Sequence, residues 1–261
     1  MKIAAWNVNS VRARLPHILR WLAECAPEVL LLQETKSVDD TFPFTELAEA
    51  GYETAHYGQR AYNGVAVLSR LAMSEVEKGM PERADDPQAR IIAATVTPPA
   101  GEAIRLISVY VPNGQSLDSD KYEYKLRWLE HLKNYLSVAQ ECWGRVAVCG
   151  DYNIAPADAD IYDPEEWGEA VLASSPERAA LSEILALGYK DAHRLFEQPE
   201  GVFSWWDYRA AAFRRNRGLR IDLILLSRLL APACLSCAPD KTPRGWERPS
   251  DHAPVAAKLA V

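Results

Sequence analysis

Polar side chains with oxygen or nitrogen ligands stand where the apolar runs of this 261-residue sequence break off. KIAAW is followed by Asn7 and Asn9, EVLLLQ by Glu34, LISVY reaches Tyr110, and RVAVCG runs into Asp151, with Asn153 two residues on. Asp222 sits near the start of RIDLILLS, and the pair Asp251-His252 precedes the last apolar run. A buried strand has no reason of its own to end in a carboxylate or carboxamide, because burying such a group without partners is costly. Taken singly, each reads as a turn residue, the usual role of Asn and Asp after a strand. Six such ends suit a site if they share one sheet edge, since binding residues favour loops carried on a rigid scaffold.

The chemistry of the set is narrow. Glu34, Asp151 and Asp251, with the amides of Asn7, Asn9 and Asn153, form a hard oxygen donor set of the kind that holds Mg²⁺ or Mn²⁺ rather than zinc. Carboxylates with one imidazole and one phenol also suit phosphodiester hydrolysis. That reaction needs a group to activate or orient water, a metal to neutralise developing charge, and donors on the phosphoryl oxygens. No GxSxG accompanies His252, which disfavours a serine hydrolase. The chain also contains no P-loop and no GxGxxG. Cys234 and Cys237 form a CxxC with no second pair, short of the four ligands of a structural zinc site. They read as ordinary core or loop thiols, and five scattered cysteines argue against a disulfide framework.

The elements that must position these residues are legible as runs rich in Val and Ile. They lie at 2–8, 28–34, 64–70, 90–96, 104–111, 145–151, 220–227 and 253–261, bounded by Pro, Gly or Asn. Several are apolar at nearly every position, which predicts strands buried on both faces. Helical spacing appears in Leu15, Ile18, Leu19 and Leu22, and again in Tyr122, Leu126, Leu129, Leu132 and Leu136 within 121–142. A third helix is expected to open at Ser175-Pro176, with the serine as cap, and to run to about Leu187. Strands outnumber helices, so the expected class is an α/β layered sandwich. No linker or repeat divides the chain, and a single domain over residues 1–261 is expected.

Composition is that of an ordinary globular protein, 48% hydrophobic and 25% charged. No stretch reaches the roughly 20 apolar residues of a membrane span, and MKIAAWNVNS lacks a secretory core, so a cytoplasmic protein is expected. The net charge of −7 runs against a simple nucleic-acid binder. Charge is local, however. Arg209, Arg214, Arg215, Arg217 and Arg220 crowd one segment, a distribution that fits a metal-using enzyme acting on phosphates and equally a bland soluble protein.

The stretches AAWNVNSVRAR, LLQETK, NGVAVLSR, VYVPNG, GDYNIAP, FSWWDYR, NRGLRIDLILLS and PSDHAPV fall in order from residue 4 to residue 255. Together they resemble the exonuclease III / apurinic-apyrimidinic (AP) endonuclease family of the DNase I-like endonuclease/exonuclease/phosphatase superfamily. The resemblance implies a four-layer α/β sandwich, two mixed β-sheets packed face to face with helices outside. It implies a Mg²⁺-dependent (or Mn²⁺-dependent) DNA repair nuclease that cuts 5′ to abasic sites and trims 3′-blocked ends. Its partner would be double-stranded DNA carrying such lesions, reached by a monomer associated with the nucleoid. Two alternatives stay open within the superfamily: an enzyme that mainly processes 3′ ends, and a phosphatase acting on a non-DNA substrate. From a different class, a noncatalytic relative predicts gaps among the site residues, and none is found.

By the same resemblance Glu34 is the principal metal ligand, with Asn7, Asp151, Asn153 and Asp251 around it. His252 faces the scissile phosphate, held by Asp222. Asp151 either activates water or protonates the leaving oxygen, and Asn153 and Tyr110 donate to phosphoryl oxygens. Arg90, Asn113, Lys121, Asn216 and Arg217 become DNA contacts, although exposed basic residues are commonly just solvated surface. Trp205, Leu219 and Ile221 would line a slot for an extruded abasic sugar, while Trp206 reads equally as core. The acidic stretch 154–170 is expected to border that slot, with Gly168 leaving room for the extruded residue.

Overall fold

The computed structural model describes residues 1–99 and 101–261. Its elements, in chain order, begin with β1 (Lys2–Asn7), α1 (Val11–Cys25), β2 (Val29–Gln33), α2 (Phe44–Glu49), β3 (Glu53–Tyr57), β4 (Val65–Ser69) and β5 (Met73–Lys78). There follow β6 (Ile91–Val96), β7 (Ile104–Tyr110), α3 (Asp120–Trp143), β8 (Val146–Asp151), α4 (Pro164–Trp167) and α5 (Ser175–Ala186). The last are β9 (Lys190–Asp191), β10 (Asp222–Leu226), β11 (Cys234–Pro239) and β12 (Val255–Leu259). They form two six-stranded sheets, ordered β11-β12-β1-β2-β4-β3 and β5-β6-β7-β8-β10-β9.

The layering follows from strand periodicity. Along β2, Val29 and Leu31 enter the core between the sheets while Leu30 and Leu32 face α1 and α2. β4 repeats the pattern with Val65 and Val67 inward and Ala66 and Leu68 outward. In the second sheet Ala147 and Cys149 of β8 meet the same central core, while Val146 and Val148 pack with Trp128, Leu129, Leu132 and Leu136 of α3. Every residue of β2, β4, β6, β8 and β10 is therefore buried, as their unbroken apolar runs predict. The result is the expected four-layer α/β sandwich. A polar tie crosses the central layer: Gln33 Nε2 donates to Ser108 Oγ at 3.0 Å, and that hydroxyl donates to the Leu32 carbonyl at 3.1 Å.

The structure corrects several expectations. β3, β5, β9 and β11 lie outside the predicted runs, and all four are sheet-edge strands. An edge strand is partnered on one side only, and here β5 is exposed at four of six positions and β11 at three of six, so no apolar run marks them. Cys234 and Cys237 fall on β11 as free thiols. The third helix is capped by Ser174, not Ser175. The Ser174 hydroxyl and N–H both donate to Glu177, and Pro176 therefore falls in the second helical position.

Gly150, one residue before Asp151, has no substitute. A Cβ there would stand 2.0 Å from the Val109 carbonyl oxygen of the neighbouring β7, and its φ is +154°. Gly150→Ala must push β7 from β8 and is expected to cost about 1–3 kcal/mol or more. Urea unfolding checks it, and an unchanged midpoint refutes the close approach.

Candidate active site

Topology delivers the polar ends to one place. β1 and β2 run parallel, as do β7 and β8, so Asn7, Glu34, Tyr110 and Asp151 all leave the C-terminal ends of neighbouring strands. β10 is antiparallel to β8 and pairs Asp222 directly with Asp151. β12 is antiparallel to β1, which brings its N-terminal approach, Asp251-His252, to the same edge. The expectation of a shared edge holds for both sheets.

The two sheets are joined there by one amide. Asn7 Nδ2 donates to Glu34 Oε1 and to Asp151 Oδ2, each at 2.9 Å, while its Oδ1 accepts from the Asn9 N–H at 3.0 Å. Asp151, 1% exposed, takes further bonds from the Asn153 N–H at 2.9 Å and Asn153 Nδ2 at 3.3 Å. Asn153 Nδ2 also donates to the Val111 carbonyl, and its Oδ1 accepts from Asn113 at 3.1 Å. Several of these loops use left-handed backbone: φ is +50° at both Glu34 and Asn153. Asn tolerates that region, but Glu does so at a strain cost that clusters at functional sites.

His252 lies between two carboxylates. Its Nδ1 is 2.9 Å from Asp222 Oδ2, and its Nε2 is 3.8 Å from Asp151 Oδ2. Burial opposes a charge on the imidazole, but Asp222 and then Asp151 outweigh it and hold the ring's pKa above its ordinary value. Burial drives Asp151 the other way from a normal carboxylate, well upward, with Asp222 and Glu34 adding and His252 opposing. Glu34 is likewise opposed by burial, yet Lys36 and the Asn7 amide keep its pKa below the usual value. Tyr110, buried near Glu34 and Asp151, stays a protonated donor because burial and both negative charges push its phenol up.

One ligand atom each from Glu34, Asp151 and His252 lie within 4.8 Å of one another. This cluster fits a hard cation: carboxylate oxygens dominate, and Glu34 already attracts the Lys36 ammonium at 2.7 Å. Asp251 does not join it. Its Oδ1 accepts from Asn9 at 3.0 Å and its Oδ2 from Trp205 Nε1 at 3.1 Å, so it binds the aromatic loop to β1's exit.

The expected DNA contacts divide into two groups. Arg90, Asn113 and Lys121 line a groove of about 730 Å³ that reaches Tyr110, where Arg90 also lies over the phenol ring at 4.8 Å. Trp205 and Arg217 line a second cavity of about 410 Å³ with Tyr162 and Trp167. Arg217 is occupied there by Tyr162 at 2.9 Å and by Glu166. Leu219 and Ile221 are fully buried with Ile161 and Leu172, so they back Trp205 as a floor and form no open slot. Asn216 spends its side chain on Trp206 and the Gly201 carbonyl, and Trp206 is wholly core.

Three residues here escaped assignment from sequence although they sit inside the quoted motifs or beside them. Lys36 of LLQETK bridges Glu34 and Asn9 Oδ1. Arg14 of AAWNVNSVRAR donates to the Asn9 and Pro249 carbonyls. Ser204 of FSWWDYR donates to Asp222 Oδ2 at 2.6 Å and accepts from the Ile221 and Asp222 N–H groups. A serine beside tryptophans gives no signal of that kind; only its fold partner does.

A profile of the Endonuclease/Exonuclease/phosphatase family matches residues 4–252. The chain belongs to that family. Within it, the chain is a hydrolase of the exodeoxyribonuclease III and AP endonuclease type. It is 35% identical to exodeoxyribonuclease III of Haemophilus influenzae, covering 99% of this chain and all of that one. Its fold matches NExo, a 3′ phosphatase from Neisseria solved with a product DNA hairpin, with a TM-score of 0.96, 44% identity and full coverage of both chains. An AP endonuclease from Archaeoglobus fulgidus matches with a TM-score of 0.93, 37% identity and full coverage of both. This family comprises metal-dependent nucleases, in keeping with the acidic cluster. Among the described residues no helix is long and apolar enough to cross a membrane.

Ser204 yields a prediction about this family hydrolase. Ser204→Ala removes the 2.6 Å hydrogen bond to Asp222, worth about 0.5–1.5 kcal/mol, and leaves Asp222 freer to rotate from His252. We expect kcat for phosphoester hydrolysis to fall roughly tenfold or more. Steady-state kinetics with an unchanged kcat would remove Ser204 from the site.

Proposed function

We propose that the chain, acting as one domain and as a monomer, is a Mg²⁺-dependent DNA repair hydrolase working on duplex DNA in the nucleoid. It cuts the phosphodiester 5′ to abasic sites, leaving a 3′-hydroxyl, and clears 3′-phosphates and other 3′ blocks at the same centre. The observation that carries this reading is the Asp222–His252 pair facing Asp151 and Glu34, linked through Tyr110 to the groove lined by Arg90, Asn113 and Lys121. The groove supplies a positive and amide-rich track for a phosphodiester strand within an acidic protein, which meets the objection that net charge raises.

Each side chain then has a task. Imidazolium His252, its Nδ1 tied to Asp222, presents Nε2 to a phosphoryl oxygen. Tyr110 stays protonated and donates to a second. Asp151, whose carboxyl is shifted upward by burial, moves the proton as water adds to phosphorus and the P–O bond to the leaving oxygen breaks. Asn153 aligns Asp151 through two hydrogen bonds. Glu34 and Asp151 would hold the Mg²⁺ (or Mn²⁺), with the Asn7 amide between them and Asn153 and Asp251 in the surrounding shell. When bound, that ion supplies neutralisation of charge building on the phosphate. Trp205, Arg217, Asn216, Leu219 and Ile221 shape the lesion side, beside the cavity shared by Trp167 and Tyr162.

A second reading is favoured by the 44% identity to the Neisseria 3′ phosphatase: 3′-end processing dominates and abasic incision is weak. One labelled duplex panel separates the two, carrying an abasic analogue, a 3′-phosphate or a plain recessed end, with Mg²⁺ or with chelator. We expect Mg²⁺-dependent cleavage at the abasic analogue and release of the 3′-phosphate. Loss of both in chelator, and a drop of about 10³-fold in Glu34→Gln, should accompany it. A chain that leaves every substrate intact, or a fully active Glu34→Gln protein, overturns the proposal.

Gly168 tests the lesion side. It follows α4 with φ +55°, and a Cβ there meets nothing within 4 Å, so a side chain would project into free space beside Trp167. The ψ of −142° at Gly168 lies outside the left-handed helical region that His enters, so the melting temperature of Gly168→His is the control for backbone strain. Gly168→His should depress abasic incision about tenfold or more while sparing 3′-phosphate release. Equal effects on both activities, or none, would show that the α4 end does not border the extruded residue.

A further inference from the structure

An ammonium group lies fully buried behind the catalytic loops. Lys125, 0% exposed on α3, donates from Nζ to the Asn153 carbonyl at 2.7 Å, to the Asn113 carbonyl at 3.1 Å, and to Glu177. Its three N–H groups are thus matched to three acceptors, the full capacity of a lysine. Two of those acceptors belong to the backbone of residues whose side chains are bonded to each other, Asn113 Nδ2 to Asn153 Oδ1. Asn153 in turn holds Asp151 through its N–H and its amide.

The placement is costly and therefore informative. A buried ammonium must be compensated, and burial does lower the Lys125 pKa against the pull of Glu177 and Asp151. Glu177 is also fully buried, and it accepts from the Leu172 N–H and from both the N–H and the hydroxyl of Ser174. If stability alone were served, two apolar residues of similar size would do as well, since replacing a buried ion pair with packed apolar groups is often neutral or stabilising. What apolar side chains cannot do is grip two carbonyl groups from different loops at one point. The Asn113 loop follows β7, the Asn153 loop follows β8, and Asn153 carries φ +50°, a conformation that needs its surroundings to hold it.

We propose that Lys125 is a positioning residue for hydrolysis, clamping the Asn113 and Asn153 loops so that Asn153 keeps Asp151 in its working orientation. Glu177 is the counter-charge that lets the ammonium sit there. The proposal rests on the assignment of Asp151 and Asn153 to the reaction made above.

Two variants separate positioning from folding. Lys125→Met leaves Glu177 buried and unpaired, so it should be less stable as well as less active. Lys125→Met combined with Glu177→Gln removes both charges and should recover much of the lost thermal stability. We expect kcat on the 3′-phosphate duplex to stay about 10- to 100-fold down in both variants, with KM within about threefold of the parent. A crystal structure of the double variant should show the Asn113–Asn153 bond lengthened or broken. Recovery of kcat together with melting temperature, with the asparagine pair unmoved, makes Lys125 a structural group only and overturns the proposal. If the parent chain cleaves no DNA substrate, the functional reading fails by itself, and the position of the asparagine pair in the double variant still decides the clamp.

Discussion

An imidazole buried between Asp151 and Asp222 governs what the rest of the molecule can be. Burial opposes the charged forms of both the imidazole and Asp151, and each offsets part of the other's cost. Together they sustain one another, but only if β8, β10 and the approach to β12 are held to a fraction of an ångström. The four-layer sandwich provides that rigidity through five strands buried on both faces. Around the triad the remaining polar groups serve to fix angles: Ser204 on Asp222, Asn153 and Asn7 on Asp151, Lys36 on Glu34. Lys36 adds an ammonium 2.7 Å from Glu34 at the edge of this acidic cluster.

Much of this arrangement could be read before any fold was seen. Runs apolar at nearly every position marked strands in the interior of the two sheets, because a strand covered on both sides has no polar face to interrupt it. The polar residues at their ends were conspicuous for the same reason. Edge strands β5 and β11 carry no continuous apolar run because solvent reaches half or more of their positions, β9 is two residues long, and β3 reads ETAHY, without the Val and Ile that mark its neighbours. The helix cap slipped by one residue because two serines adjoin the proline, and only the bond to Glu177 distinguishes them.

Site geometry was less legible than site membership. Asp251 was expected beside Glu34, yet it is taken by Asn9 and the Trp205 indole, a choice set by loop paths that no residue spacing records. Leu219 and Ile221 alternate with the buried Arg220 around the turn into β10, and the segment ending in Val171 and Leu172 closes over them. Lys125 was hidden most thoroughly. It occupies one position in an amphipathic helix, where a lysine normally means solvent, and nothing nearby in sequence announces two carbonyls waiting behind it.

The first and last strands are neighbours in one sheet, and this has a temporal consequence. Trp6 Nε1 donates to the His252 carbonyl and Ser250 to the Asn7 carbonyl, bonds that span more than 240 positions of chain. During synthesis β1 waits for more than 240 further residues before its partner β12 exists. Until those residues are made there is no His252 to stand beside Asp222. Contacts so far apart in sequence carry a large loop-closure cost, so the seam that seats His252 belongs to the late, non-local part of folding.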